Sequence, residues 1–402
     1  MPINQVTIIG AGLSGLTLSL FLAKHNITSK IYEVRPANTT SEGAVMLSPN
    51  ALRTLEILGL YPRIKAKGYH FRDLTFNNND HETLDTYEMG NSDKYGYDAL
   101  RVYRQVLLDE LKAMIAEAGP SQIEILHEKK FSHIVSSTPN DITFALTDNT
   151  THKTPLLLGA DGIHSTLRSH LSPSTKPIFS SFLAITFPLA STHLNLPSTP
   201  YPLPVSITHP TGAGAFVLAP QNPQGTDLLA GTQIPTHDRP REEWTALFQN
   251  KKELYTLIRG PNDSKYSGWN DTIKSAIDNC PTGKLSIWPF YTIPKLETWF
   301  TPKDGRIILL GDAAHAIPPA AGQGVNQAFE DAHSLALLLA AANEGEVDWG
   351  RVERTQGLTD EMNKRRMPNW TGEGAENIDS GWLFAVDVEG DVKAYINGQK
   401  KH

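Results

Sequence analysis

Close to its start the chain carries Gly10-Ala11-Gly12-Leu13-Ser14-Gly15, the glycine spacing of a phosphate-binding turn. It follows Val6-Thr7-Ile8-Ile9, whose β-branched and apolar side chains predict a buried parallel strand. Leucines at helical spacing come after the turn, and a second predicted strand over residues 29–34 carries Glu33 near its end. A strand, a glycine turn, a helix and a strand with a terminal acid together predict a dinucleotide-binding unit.

Each residue of this unit has a separate physical task. Gly10 permits the tight turn, Gly12 lets the backbone approach a pyrophosphate, and Gly15 lets the helix pack closely on the strand. The start of the helix offers free N–H groups and the positive end of its dipole to the phosphates. The Glu33 carboxylate can accept hydrogen bonds from the adenosine ribose. A glycine-rich connection without a ligand is the alternative interpretation.

Two further glycine motifs follow predicted buried strands. Gly159-Ala160-Asp161-Gly162 ends one strand, and Ser165 is expected to cap the helix after it. Gly311-Asp312 ends another strand, which is predicted over residues 306–310. Asp161 and Asp312 are therefore expected at the carboxyl ends of strands, where open α/β sheets bind their ligands. In isolation, the pair Asp161-Gly162 would be interpreted as a plain turn.

A stiff loop and a long helix follow the third motif. Prolines and glycines restrict the loop, which contains Pro318, Pro319, Gly322, Gln323 and Gly324. Apolar residues at helical spacing predict a helix that starts near Gly324 and points its N-terminus towards the ligand of the loop. The helix dipole there favours the negative charge that a reduced isoalloxazine ring carries at N1 and at the C2 carbonyl. The order and spacing of the three motifs indicate FAD.

The composition is that of an ordinary globular protein. Of the 402 residues, 40% are hydrophobic and 20% are charged, and the net charge of −7 predicts no interaction with nucleic acid. Cys280 is the only cysteine, and the histidines are not spaced as zinc ligands, so neither a disulfide nor a metal site is expected. His315 is interpreted as a structural histidine. Without a signal peptide or a long apolar run, a cytoplasmic protein with no membrane span is expected.

The middle of the chain has a different texture, with frequent proline and threonine between residues 175 and 280. The patterns there predict four strands and then two helices, over residues 179–189, 204–208, 213–220, 228–232, 241–257 and 269–278. The segment 75–87 is expected to add a strand to the same sheet. An inserted sheet creates a domain boundary, where pockets preferentially form.

The three motifs resemble those of the class A flavin-dependent monooxygenases, the aromatic hydroxylase family. Val325-Asn326-Gln327-Ala328-Phe329-Glu330-Asp331-Ala332 and Leu47-Ser48-Pro49-Asn50-Ala51-Leu52-Arg53 extend the resemblance, which is nearest to the salicylate-hydroxylase-like group found in fungi. It implies an α/β fold: a Rossmann-like FAD-binding domain with a parallel sheet, an inserted substrate domain with a mixed or antiparallel sheet, and C-terminal helices. The implied divisions are 1–74, 96–174 and 281–368 for the FAD domain, 75–95 and 175–280 for the substrate domain, and 369–402 for a tail that packs back on the FAD domain.

The resemblance also implies roles for individual residues. The ADP half of FAD would be held by Gly10, Gly12, Leu13, Ser14, Gly15, Glu33 and Arg35. Arg104 would contact phosphate or ribityl groups of FAD, and Asp161 would take part in contacts to both FAD and the reduced nicotinamide. Asp312, which follows Gly311, would bond the ribityl chain. The flavin ring would lie against the loop of Pro318, Gly322, Gln323 and Gly324 and against Val325 and Asn326, with Gly43 and Ala44 on another side.

The substrate pocket is less well defined by the sequence. Some members of the family place an arginine or a tyrosine after the middle motif, but Phe182-Leu183-Ala184-Ile185-Thr186-Phe187 has no charged residue. A mostly apolar pocket is therefore expected, with Phe216, Phe290 and Pro319 as candidate wall residues. The group that activates the substrate stays unassigned.

The activity implied by the resemblance is hydroxylation of an aromatic or other electron-rich small molecule. NADPH or NADH would reduce FAD in a shared cleft, and O2 would react with the reduced flavin to give a C4a-hydroperoxide that transfers oxygen. Secondary metabolism is a reasonable setting. Two alternatives stay open: a related flavoprotein that acts as an epoxidase or oxidase, and a non-catalytic FAD-binding module.

Overall fold

The computed structural model describes residues 2–212, 214–302, 305–317, 322–346 and 381–399. Pro318 and Pro319 lie outside the described residues. Eighteen strands are described, in chain order β1 (Gln5–Ile9), β2 (Thr28–Tyr32), β3 (Ala44–Leu47), β4 (Tyr69–Phe71), β5 (Asp73–Asn77), β6 (Thr83–Glu88), β7 (Ala99–Tyr103), β8 (Ile123–Leu126), β9 (Phe131–Ser137), β10 (Ile142–Leu146), β11 (Thr151–Thr154), β12 (Leu157–Gly159), β13 (Ile178–Ala190), β14 (Val205–Thr208), β15 (Ala215–Pro220), β16 (Asp227–Pro235), β17 (Ser286–Thr292) and β18 (Ile307–Leu309).

The α-helices within the described ranges are α1 (Leu13–Lys24), α2 (Pro49–Leu58), α3 (Tyr61–Ile64), α4 (Ser92–Tyr95), α5 (Arg104–Ala118), α6 (Thr166–Leu171), α7 (Arg241–Gln249), α8 (Lys251–Arg259), α9 (Asp271–Asp278), α10 (Asp312–His315), α11 (Gly324–Asn343), α12 (Gly381–Phe384) and α13 (Val388–Gln399). None of them is long and apolar enough to cross a bilayer.

A five-stranded parallel sheet forms the centre of the fold, in the order β18-β12-β1-β2-β8. Strands β18, β12 and β1 are short apolar runs with almost every residue buried, as expected where both faces of a parallel sheet are covered. Helices α1, α2, α5 and α11 contribute Leu16, Leu55, Leu111 and Phe329 to the core beside it, and all four side chains are fully buried. The sequence-based prediction of an α/β fold with a parallel sheet is confirmed.

A second, seven-stranded mixed sheet has the strand order β17-β13-β16-β15-β14-β5-β6. Its pairs are antiparallel except for β14 and β5, which run parallel. Segment 75–87 therefore joins this sheet as predicted, although as two strands. One face of the sheet packs on α7, α8 and α9 through a core that includes Ile185, Phe187, Phe216, Trp244 and Ile273.

Phe216 corrects one of the pocket predictions. The side chain is fully buried on the helix-covered face of β15, with its ring 6.0 Å from that of Trp269 and 6.2 Å from that of Phe187. Alternation along the strand turns Val217, the next residue, to the opposite face. Phe216 is therefore a core residue and not a wall of the cleft.

One smaller difference concerns a helix boundary. The helix predicted over residues 241–257 is divided at Asn250 into α7 and α8, because the Asn250 side chain accepts a hydrogen bond from the Glu253 N–H at 3.2 Å and caps α8.

The described part of the tail, residues 381–399, forms α12 and α13, and α13 packs on α11. Arg53 on α2 holds this segment by donating hydrogen bonds to the carbonyl oxygens of Phe384 and Val386 at 3.1 and 3.0 Å.

We expect Phe216→Ala to lower the free energy of unfolding by about 3–5 kcal/mol, the usual cost of a large cavity in a core. Phe182→Ala is the matched control because Phe182 is 42% exposed, and a surface change costs about 0.5 kcal/mol or less. Urea unfolding of the FAD-saturated proteins measures both values. Equal losses in the two variants would contradict the placement of Phe216.

Candidate functional site

Three backbone turns meet at the carboxyl ends of β1, β12 and β18, which are adjacent in the parallel sheet. Gly10 has a φ of +104° and packs so closely on the Ala160 carbonyl that a Cβ atom would collide with it. Gly15 lies equally close to the Gly10 carbonyl, and a Cβ on Gly311 would lie 2.5 Å from Ser14 Oγ. The glycines of the three sequence motifs therefore bring the motifs into direct contact.

The turn after β1 leaves space for a ligand at Gly12. A Cβ atom there would meet no atom within 4 Å, and α1 starts at this point without a side-chain cap. The first N–H groups of α1 are thus free to bind an anion. Glu33 stabilises the turn, because its carboxylate accepts hydrogen bonds from the N–H groups of Ala11 at 2.7 Å and Arg35 at 2.9 Å. Its contact with a ribose stays a prediction.

Asp161 follows the end of β12, and only one of its two carboxylate oxygens makes hydrogen bonds within the described residues. Its Oδ2 accepts hydrogen bonds from the N–H groups of Thr166 at 2.8 Å and Leu167 at 3.4 Å, whereas its Oδ1 is buried without a partner in the described part of the chain. Burial raises the pKa of this carboxyl. Ser165 caps α6 as predicted, with Oγ accepting from the Arg168 N–H at 2.8 Å.

Arg168 connects the second motif to the third, a role that the sequence analysis did not assign. The side chain is 1% exposed, and its guanidinium donates hydrogen bonds to the carbonyl oxygens of Ala313, at 3.0 Å, and Ile163. Burial lowers the pKa of Arg168, while the nearby charges of Asp161 and Asp312 oppose that effect. The arginine thus fixes the distance between the two aspartates by binding the backbone beside each.

Asp312 and Arg104 face each other inside the fold. The Asp312 side chain is exposed to solvent, yet burial raises its pKa, so it faces an internal cleft rather than the outer surface. Burial lowers the pKa of Arg104, the attraction of Asp312 opposes this shift, and the repulsion of Arg35 adds to it. The Arg104 N–H donates to the Gly43 carbonyl at 3.1 Å. Arg104 is thus close enough to both Asp312 and Arg35 to interact with their charges.

A buried pair of side chains, Asp331 and His315, holds Gly311 of the third motif in place. Asp331 Oδ2 on α11 accepts a hydrogen bond from the Gly311 N–H at 2.8 Å and lies 2.5 Å from His315 Nε2. Burial raises the pKa of Asp331 to about 8. His315 is 1% exposed beneath the turn, in agreement with its interpretation as a structural residue. Asp331 was missed as a site residue, although an acid on the apolar face of a predicted helix could have indicated it.

The loop before α11 forms the other end of the cleft. Gly322 has a φ of +62° and packs on the methyl group of Met46, and its carbonyl accepts a hydrogen bond from Asn326 Nδ2 at 2.8 Å. Asn326 Oδ1 is buried without a partner among the described residues. Gln323 is anchored by Ser48, with Nε2 donating to Oγ at 3.1 Å.

The remaining predicted site residues lie at the start of α11, at the start of β3 and on β17. Gly324 starts α11, and a Cβ on it would lie 3.8 Å from Asp312 Oδ1; Val325 follows it on the helix. Gly43 and Ala44 lie at the start of β3, where Ala44 pairs with Tyr103 of β7. Phe290 on β17 is 6% exposed.

The residues present fit FAD. The cleft offers an open glycine and an uncapped helix start for a pyrophosphate, a deep Arg104 for a phosphate, and unpartnered buried oxygens on Asp161 and Asn326 for hydroxyl or ring N–H donors. No cluster of metal-ligating side chains occurs within the described ranges.

Two glycine substitutions separate ligand binding from folding. Gly12→Ala should leave the stability of the FAD-free protein unchanged and weaken FAD binding by on the order of tenfold or more, since a methyl group displaces phosphate hydrogen bonds worth about 1.5–3 kcal/mol. Gly10→Ala should destabilise the protein itself, because both φ and the Ala160 carbonyl exclude a side chain.

Thermal unfolding without FAD and fluorescence titration with FAD measure the two effects. Gly283→Ala is the control, since Gly283 also has no atom within 4 Å of a Cβ and lies in a surface turn. Loss of stability without loss of FAD affinity in Gly12→Ala would assign the open space to folding rather than to a ligand.

Comparison of the sequence with known proteins supports an FAD site in this cleft. A family model described as an FAD binding domain matches residues 4–356. The chain is 23% identical to 6-hydroxynicotinate 3-monooxygenase of Pseudomonas fluorescens, over 96% of this chain and 95% of that protein. It is 28% identical to hispidin-3-hydroxylase of Neonothopanus nambi, over 83% of this chain and 80% of that protein.

A solved structure shares the fold. The crystal structure of Klebsiella pneumoniae HpxO with FAD and uric acid superposes with a TM-score of 0.69 at 19% identity, over 98% of this chain and 96% of that one. The family match spans all three glycine turns and the cleft between them. The chain therefore belongs to the FAD binding domain family, and it is an FAD-dependent monooxygenase.

Proposed function

We propose that FAD extends along the cleft with its ADP half at the turn of residues 10–15. The pyrophosphate would accept hydrogen bonds from the N–H groups of Leu13 and Ser14 at the start of α1, where Gly12 leaves room. Glu33 and Arg35 stand at the end of β2, where an adenosine ribose would reach them. Arg104 would bind the phosphates from the opposite side.

The flavin half would extend past Asp161 and Gly311 to α11. Asp312 would accept hydrogen bonds from the ribityl hydroxyls, and the ring would lie against the backbone of Gly322, Gln323 and Gly324. The N-termini of α1 and α11 then point at the two parts of FAD that carry negative charge. When bound, FAD supplies the chemistry of oxygen activation, and NADH or NADPH supplies the electrons.

We propose that the substrate lies between this ring and the seven-stranded sheet. The side of that sheet opposite α7–α9 carries Leu74 and Tyr87, which pair with each other across β5 and β6. Both pack in one cluster with Met46 and Tyr69 of the sheet β3-β7-β4. The two sheets therefore enclose the space beside Gly322, which supports a pocket with apolar walls that exclude water.

Phe290 fits as a wall of this pocket. It lies two residues along β17 from Trp288, which pairs with Ala184 on the same side of the sheet. An aromatic substrate suits such walls, and one relative carries 6-hydroxynicotinate, an aromatic pyridine, in its name. In this proposal, residues 1–74, 96–174 and 281–368 bind FAD, while 75–95 and 175–280 bind the substrate.

The observation that supports the proposal most strongly is the position of Asp312. It is a charged residue at the end of a parallel strand, open to solvent and yet surrounded by protein. A cleft of this kind at the junction of two sheets fits an extended cofactor with a small molecule beside it.

Asp312→Asn should raise the dissociation constant of FAD by about tenfold to a hundredfold, the effect of losing a charge-assisted hydrogen bond of about 1.5–3 kcal/mol. Asp148→Asn, at an exposed turn that binds Lys129, is the matched control and should bind FAD normally. Fluorescence titration of the FAD-free proteins measures both constants. Normal FAD binding by Asp312→Asn would place the ribityl chain elsewhere.

Anaerobic reduction followed by reoxidation tests the activity. NADH or NADPH should bleach the flavin absorbance of the purified protein, and mixing with isotopically labelled O2 and an aromatic substrate should place one labelled oxygen atom in the product. Hydrogen peroxide in step with nicotinamide oxidation across a broad panel of aromatic compounds would indicate an oxidase. No reduction by either nicotinamide, with and without the panel, would contradict the proposal.

A further inference from the structure

Arg101 on β7 is a cation without a partner in the described part of the chain. Its Nε is buried and makes no hydrogen bond, and its guanidinium has no hydrogen bond or ion pair within the residues that the structure describes. Burial lowers its pKa to about 10, so the side chain keeps its charge at neutral pH. A charge that is largely removed from water and has no counter-charge among the described residues is costly, which points to an anionic ligand as its partner.

The strand register fixes the direction of this side chain. Arg101 is paired with Met46 of β3 on one side and with Tyr69 of β4 on the other, so the three side chains share one face of the sheet. Met46 packs on Gly322 of the loop before α11, and the Tyr69 ring lies 3.2 Å from a Cβ built on Gly225, in the turn between β15 and β16. Arg101 therefore stands between the proposed flavin site and the substrate sheet.

The surroundings of Arg101 favour an anion over a neutral group. The ionisable neighbour that acts on it among the described residues is Tyr103, on the same face of β7, and no carboxylate does so. In the proposed function, Arg104 and the start of α1 already bind the FAD phosphates. Arg101 lies three residues before Arg104, about 10 Å away along an extended chain, so it is too far away to share that role. A planar guanidinium with free donors matches a carboxylate in a two-point geometry.

We propose that Arg101 binds the carboxylate of the substrate, and that the enzyme accepts aromatic acids in preference to their uncharged analogues. This inference rests on the proposed function, because it places the substrate in the cleft beside Gly322. The charge of Arg101 selects the acid and orients its ring. The surrounding apolar side chains Met46, Phe71 and Met89 accommodate the ring itself.

The test uses matched acid and amide probes on the oxidised holoenzyme without nicotinamide. The pairs are benzoate with benzamide, 2-hydroxybenzoate with 2-hydroxybenzamide, and 2-naphthoate with 2-naphthamide, and the perturbation of the flavin spectrum reports binding. The natural protein should bind the acid of at least one pair about tenfold more tightly than the amide. If no pair shows a preference for the acid, including the case in which nothing binds, the inference is wrong.

Three variants assign the preference to Arg101. Arg101→Gln should lose at least tenfold in affinity for the acid with little change for the amide, and Arg101→Lys should recover part of the loss. Arg72→Gln is the control, because Arg72 is an exposed neighbour that pairs with Glu88 at 3.5 Å. Thermal unfolding and FAD titration accompany each variant.

Two results would overturn the assignment. An unchanged acid preference in Arg101→Gln would exclude its role as the anion site. Weakened FAD binding with an unchanged ratio of acid to amide affinity would make it a cofactor residue instead. Because the measurement needs neither NAD(P)H nor O2, its failure is distinguishable from failure of the monooxygenase reaction, which the reduction experiment tests separately.

Discussion

The contact between three backbone turns at one edge of the parallel sheet is the constraint on which the rest of the structure depends. Gly10, Gly15 and Gly311 leave no room for a side chain at these contacts, so the ends of β1, β12 and β18 approach as closely as backbone allows. That proximity aligns Gly12, Asp161 and Asp312 along a single cleft. Larger residues at the three contacts would separate the strand ends and divide the site.

Buried charge then gives the cleft its chemical character. Arg168 binds backbone carbonyls beside Asp161 and Asp312, and Asp331 binds the Gly311 N–H. These buried hydrogen bonds fix the positions of the second and third turns. Arg101 on β7 and Arg104 at the start of α5 bring positive charge to the cleft at two separate points. Since unpaired charge is unfavourable in a protein interior, the cleft is suited to ligands with negative groups at corresponding positions.

The sequence was sufficient for the parts of the fold that depend on local rules. Glycine spacing and apolar strand runs predicted the parallel sheet and its three motifs, and Ser165 was recognised as a helix cap, because these signals need only a few neighbouring residues. Phe216 was misplaced because the choice between two faces of a strand depends on the packing of distant helices. Arg101 was overlooked for a related reason: that no described residue pairs with it becomes visible only when the neighbouring elements are in place.

The most direct test of the central claim is a crystal structure of the protein with FAD bound. The account predicts that the pyrophosphate contacts the first N–H groups of α1 beside Gly12, that the ribityl chain reaches Asp312, and that the flavin ring lies against the backbone of residues 322–324. FAD bound away from the three turns, or with its adenine and flavin ends exchanged, would contradict the account.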